Sequence, residues 1–153
     1  MNGVGGPSGT SSTSSTSDGA VATEARVLVE TDRDIVSARQ QGRLMAVQLG
    51  FSPGTATLIA TAISELARNI LLYARRGEVM MRTLDTNGSR GIAVEASDEG
   101  PGIPQPQRAL EDGFSTSGRL GLGLPGVKRL MDEFRLETGP GRGTRIVVRK
   151  WVR

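Results

Sequence analysis

The sequence predicts an α+β domain, a two-layer α/β sandwich in which a mixed, largely antiparallel sheet carries its helices on one face. Three observations predict it. Two helices, one bounded by its cap and terminating glycine at 32–49 and one with helical periodicity at 53–75, come before most of the β-rich runs. Short runs rich in β-formers follow at 78–84, 91–96, 135–138 and 144–152. Glycine-bearing turns join those runs in pairs, which makes them antiparallel hairpins, and helices segregated from such a sheet bury their apolar stripes against it.

Residues 1–23 are almost entirely Gly, Ser, Thr and other small residues. That composition cannot bury enough apolar area to offset the entropy of ordering, so a disordered tail is expected there and the domain is assigned to 24–153. A short strand is expected at 26–30. Thr31 or Asp32 then caps a helix to Leu49, which Gly50 ends. Ser52 is the cap and Pro53 the first residue of the second helix. Its stripe of Ile59, Ala62, Ile63, Leu66, Ile70 and Tyr73 recurs at helical spacing.

Asn87-Gly88 marks the turn of the first hairpin. A Gly/Pro loop at 98–104 leads to a short helix near 107–111, then to a Ser/Thr/Gly stretch at 113–118. A third helix is expected from Leu124 to Glu133, and the last two strands flank the turn at 139–143.

With 153 residues the chain suits one domain that needs no disulfide or structural metal. Cys and His are both absent. This excludes thiolate nucleophiles, Cys/His zinc sites, a histidine base, phosphohistidine on this chain and a disulfide-built secreted scaffold. Any proton abstraction falls to a carboxylate.

No charged segment followed by an apolar stretch opens the sequence, and no run approaches the roughly 20 apolar residues of a membrane span. A cytoplasmic protein with no membrane attachment is therefore expected. Net charge is +3, with one Trp, one Tyr and three Phe. Without an aromatic stacking platform no nucleic-acid partner is expected, and a basic surface suits an anionic nucleotide.

Three constellations carry the chemistry. Glu65 and Asn69 lie four residues apart and share one face of the second helix, at the rim of its apolar stripe. An amide such as Asn69 can ligate Mg2+ without adding charge beside phosphates, and Glu65 can take a proton from an attacking hydroxyl. A carboxylate about 4 Å from one phosphate charge is opposed by roughly 4 kcal/mol at an effective dielectric of 20, so the cation is a requirement. Read alone, the pair is an ordinary solvated helix face.

Asp98, at a strand end, can accept from an exocyclic amine such as that of adenine, while Gly100 and Gly102 let backbone approach a flat ring. A polar turn is the alternative for this segment.

Gly118, Gly121, Leu122, Gly123 and Leu124 form a glycine-rich approach to a helix N-terminus that attracts phosphate. Ser115, Thr116, Ser117 and Arg119 add hydroxyl and guanidinium donors to a loop able to close as a lid. The match of 121–126 to G-x-G-x-x-G is not a dinucleotide fingerprint, because no strand leads into Gly121; Val127 stands where a Walker A loop needs Lys.

In this order, Glu65-Leu66-Ala67-Arg68-Asn69, Asp98-Glu99-Gly100-Pro101-Gly102, Gly113-Phe114-Ser115-Thr116-Ser117-Gly118, Gly121-Leu122-Gly123-Leu124 and Gly143-Thr144 resemble the boxes of the GHKL (HATPase) superfamily. The stretches 63–70, 111–118 and 121–134 resemble its RsbT-type serine/threonine switch kinases. The resemblance implies a Bergerat-type fold binding ATP with Mg2+. Asn69 would lie on the metal, Glu65 would be the base, Asp98 and Thr144 would lie at adenine, and the 118–124 lid would cover the phosphates. Related anti-sigma kinases carry a lid arginine at the place of Arg119.

It also implies partners: STAS-domain scaffold or antagonist proteins of a stress-signalling complex, phosphorylated on Ser or Thr, and a PP2C-type phosphatase activated upstream of an alternative sigma factor. A homo-oligomer is left open. Two other readings compete: an anti-sigma kinase that binds a sigma factor directly, and a non-catalytic ATP-gated binding module.

Overall fold

A computed structural model of the chain describes residues 11–15, 21–111 and 123–153. Beyond β1 (Ser11–Ser15) and β2 (Val21–Val29), two helices form a hairpin, α1 (Asp32–Leu49) and α2 (Pro53–Ala74). The side chain of Asp34 accepts from the backbone N–H groups of Glu30 and Thr31 at 2.8 and 3.0 Å, which fixes the start of α1. Gly50, at φ 106°, ends it, and the Ser52 hydroxyl accepts from Thr55 N–H at 3.1 Å to start α2.

Gly42, in the middle of α1, is where the layers approach closely. A Cβ there would collide with Ile63 Cδ1 of α2 and lie 3.2 Å from Met81 Sδ of the sheet. The cost of a mid-helix glycine, about 1 kcal/mol, is offset by this packing.

The remaining elements are β3 (Gly77–Thr86), β4 (Ser89–Asp98), α3 (Pro106–Ala109), α4 (Gly123–Leu130), β5 (Glu133–Gly139) and β6 (Gly143–Trp151). The sheet is antiparallel throughout, in the order β1-β2-β3-β4-β6-β5. Its two-layer α/β architecture is the expected one. Asn87 and Gly88, with φ of 51° and 81°, make the tight two-residue turn between β3 and β4.

Register lines up rows of side chains across the face that meets the helices. One row is Ala25, Met81, Val94, Val148 and Phe134; the next is Val27, Val79, Ala96, Ile146 and Leu136. The row beyond changes character. Val29 is followed by Gly77, Asp98, Thr144 and Thr138, so polar groups replace aliphatic ones at this end of the sheet.

The opposite face carries cross-strand ion pairs, among them Arg26–Glu78 at 3.0 Å, Arg145–Glu95 at 2.7 Å and Arg149–Glu133 at 3.1 Å. Exposed pairs of this kind contribute about 0–1 kcal/mol each, so they serve register more than stability.

Some boundaries differ from expectation. The strand expected at 26–30 begins at Val21. Of the stretch 1–23, residues 1–10 and 16–20 lie outside the described residues, and 11–15 and 21–23 are strand. The helix expected to reach Glu133 stops at Leu130, because Asp132 N–H donates to Arg149 O at 2.9 Å and draws the chain into β5. Among the described residues no helix is long and apolar enough to cross a membrane.

Ile63 is fully buried between α1 and the sheet. Ile63→Ala should lower the unfolding free energy by about 2–5 kcal/mol in a urea titration, with the m-value unchanged. A loss well under 1 kcal/mol would show that the helix pair is not seated as described.

Candidate nucleotide site

The polar end of the sheet is also where α2 comes down onto it. A Cβ on Gly77 would meet Ser97 O, lie 2.8 Å from Ile70 Cγ2 and 3.0 Å from Asp98 Cβ; one on Gly100 would lie 2.6 Å from Ala74 Cβ. Only glycine fits either place without moving backbone. The last turns of α2 thus rest directly on the segment that carries Asp98.

A second clamp comes from the β5–β6 turn. Gly102, at φ 91°, packs against Gly139 O, and Gly143, at φ 76°, against Asp98 O. Gly141 N–H donates to Pro101 O at 2.9 Å. Thr138 Oγ1 accepts from Ile103 N–H at 3.0 Å and lies 2.9 Å from Thr144 Oγ1.

Asp98 is half-buried between these supports. Its carboxylate accepts from Gly100 N–H at 2.9 Å and from Thr144 N–H. Burial dominates and lifts its carboxyl above the ordinary carboxylate value, against the lowering effect of the two N–H donors. A cavity of about 1270 Å³ wraps around this end of the sheet: Asp98, Gly100, Thr138 and Thr144 line it on the helix side, and Glu78, Ser97, Glu137 and Arg145 on the opposite face.

Of the sequence-predicted residues, Asp98, Gly100 and Thr144 therefore meet in one cavity, with Gly102 beside it. Glu65 and Asn69 are not in its lining. They lie on α2, on the edge they share with Tyr73, whose carbonyl is 3.2 Å from the place of a Gly100 Cβ. At 1.5 Å per residue, Glu65 stands about 12 Å further along the helix than Tyr73. That edge leads away from the cavity toward the N-terminus of α2.

Gly123, at φ 64°, and the buried Leu124 open α4, which packs on α2. Ser115, Thr116, Ser117, Gly118, Arg119, Gly121 and Leu122 lie outside the described residues.

Sequence reasoning missed two partners. Arg68 Nη1 binds Glu65 Oε2 at 3.1 Å, with the Glu65 side chain only 13% exposed. The i,i+3 spacing would have revealed this pair. Thr138 was legible only as a strand residue, since its partners come from other segments. Among the described residues no three His, Cys, Asp or Glu cluster around a metal position. A divalent ion here would draw on few protein ligands, which suits an amide oxygen with phosphates completing the shell.

The sequence pattern of the family described as histidine kinase-, DNA gyrase B-, and HSP90-like ATPase matches residues 54–153. The serine/threonine-protein kinase RsbT of Bacillus subtilis (strain 168) is 54% identical over 127 residues, 83% of this chain and 96% of that protein. The anti-sigma F factor of Thermoanaerobacter sp. (strain X514) is 30% identical over 99 residues, 61% of this chain and 68% of that one.

Among solved structures, the RsbU and RsbW domains of Rv1364c from Mycobacterium tuberculosis align with a TM-score of 0.53 at 19% identity, over 83% of this chain and 32% of that one. The mycobacterial sensor histidine kinase MprB aligns with a TM-score of 0.52 at 21% identity, over 82% and 97%. At such identities these two speak for a shared fold alone.

The raised Asp98 carboxyl has a stability consequence. A carboxyl whose folded value lies above its unfolded one favours the fold while protonated; that contribution is complete below about 3.8 and is lost as pH rises through the folded value. Asp98→Asn should therefore unfold at higher urea than the parent at pH 7, with the gap closing as pH falls toward that window. A less stable variant at pH 7 would mean that the N–H donors, not burial, dominate.

Proposed function

Since the chain belongs to the histidine kinase-, DNA gyrase B- and HSP90-like ATPases, and within them with the RsbT-type serine/threonine-protein kinases, we propose that it transfers the γ-phosphoryl group of ATP to a Ser or Thr of a STAS-domain partner. One observation carries the assignment of the site. A half-buried carboxylate, Asp98, stands in a cavity at the foot of the helix edge that bears Asn69 and Glu65.

In this reading Asp98 and Thr144 hold the purine, and the phosphates run along α2. The first N–H groups of α4, at Gly123 and Leu124, face the anionic tail at the end of the 118–124 lid, the segment that carries Arg119 and that the family resemblance sets over the phosphates. Asn69 offers its amide oxygen to magnesium. The ion, when bound, would supply charge neutralisation at the phosphate oxygens.

Glu65 accepts the proton of the partner's hydroxyl as that oxygen bonds to the γ-phosphorus and ADP leaves. Arg68 keeps the Glu65 carboxylate in place beforehand. The kinase domain is assigned to 24–153 and its workplace to the cytoplasm. After transfer the protein leaves the STAS scaffold of a stress-signalling complex and activates a PP2C-type phosphatase upstream of an alternative sigma factor.

A second reading is supported by the likeness to an anti-sigma F factor. Here the chain binds a sigma factor itself and phosphorylates the antagonist. Co-purification with a sigma factor, without phosphatase activation, would select it.

The test is incubation with labelled ATP, magnesium and a purified STAS-domain protein. Label should appear on the partner. Glu65→Gln should bind ATP within about twofold of the parent and lose roughly 10²–10⁴-fold in transfer rate. Asn69→Ala should lose the magnesium-dependent part of ATP affinity. Full transfer by the Glu65 variant would remove it as base, and ATP binding with no label on any partner would leave a non-catalytic switch.

A further inference from the structure

The polar row at the end of the sheet holds a hydroxyl pair whose proton positions follow from its surroundings. Thr138 Oγ1 has three neighbours: Ile103 N at 3.0 Å, Gly143 O at 3.2 Å and Thr144 Oγ1 at 2.9 Å. A threonine hydroxyl has one proton and two lone pairs. Ile103 N–H can only donate, so it occupies one lone pair. The Gly143 carbonyl can only accept, so it takes the single proton. The remaining lone pair is filled only if Thr144 turns its own proton toward Thr138.

Thr144 is then left with nothing but lone pairs toward the cavity it lines. Directly opposite it across the β4–β6 ladder stands Asp98, a carboxylate and likewise an acceptor. Two acceptors side by side match a ligand group with two hydrogens to give, such as an exocyclic amine. They repel a carbonyl oxygen in the same place. A freely rotating Thr144 hydroxyl would instead swing its proton toward such a carbonyl and soften the distinction.

We propose that Thr138 is a positioning residue for base selection: by holding the Thr144 proton it makes the pocket accept aminopurines and reject oxopurines. The inference rests on the nucleotide reading above and deepens it. Thr138 acts through Thr144. Its place follows from the fold, since it pairs with Thr144 in the β5–β6 register just before the glycine-bounded turn.

The measurement is the dissociation constant of ATP and of ITP, by calorimetry with magnesium on the full chain. The two carry the same phosphates and differ at the amine, where hypoxanthine has a carbonyl. The parent should prefer ATP. In Thr138→Val the ITP-to-ATP ratio of dissociation constants should fall roughly tenfold, and Thr138→Ser should restore it. Loss of the bond to Ile103 N–H would weaken both nucleotides alike, so the ratio separates selection from mere support of the loop.

Thr144→Val keeps the Thr138 bonds to Ile103 and Gly143 and should also lower the ratio, which serves if the Thr138 variant does not fold. A parent-like ratio in folded Thr138→Val, or in Thr144→Val, would overturn the inference while leaving ATP binding intact. A parent that binds both nucleotides equally would overturn this inference and leave the nucleotide reading standing; a parent that binds neither would overturn both.

Discussion

The site depends on how closely the last turns of α2 approach the end of the sheet. Two glycines set that distance. At Gly77 and Gly100 any Cβ would press on Ser97 O, Ile70 or Ala74, and relief would come only by lifting the helix or moving backbone. A lifted helix would open Asp98 to water and remove the wall of the cavity. The half-burial that raises the Asp98 carboxyl is thus a property of the helix seat, not of the loop alone. Sheet register places the carboxylate, and the missing side chains let the helix cover it.

The same row shows where the core gives up apolar contacts. Two rows of Ala, Val, Ile, Met, Leu and Phe fill the space under the helices, and the third substitutes Gly77, Asp98, Thr144 and Thr138. Each polar group there has partners: Asp98 has two N–H donors, and Thr138 has three neighbours within 3.2 Å. No buried side-chain polar atom lacks a partner among the described residues. This end of the sheet is satisfied rather than strained, which keeps the acceptors fixed and aimed.

Residues that announce themselves locally were legible in the sequence. Ser52-Pro53 started a helix, the stripe from Ile59 to Ile70 named its buried face, and Asn87-Gly88 dictated a turn with both φ angles positive. Asp98 and Gly100 read locally as a strand-end acceptor beside a loop open to close approach, with a polar turn as the alternative, and Thr144 joined them only through the resemblance to the GHKL boxes. What stayed hidden depends on distant partners. The end of α4 is set by Asp132 N–H finding Arg149 O, and β2 begins at Val21 through pairing across the sheet, neither of which local composition records. Thr138 reads as any strand threonine until Ile103, 35 residues earlier, is brought against it.

The two ends of the proposed nucleotide path differ in readiness. At the purine end every donor and acceptor is held by backbone or by a packed hydroxyl, so little has to move when a base arrives. Along α2 the carboxylate of Glu65 is instead tied to Arg68 at 3.1 Å. A helical i,i+3 pair of this kind contributes only about 0.2–0.5 kcal/mol, far less than a charge-assisted bond to phosphate. Under the proposed reaction, an anion arriving on that edge competes for the guanidinium at small cost. Under that same proposal the carboxylate released by the exchange would be the one that meets the incoming hydroxyl, so the base would be freed only where phosphates are bound.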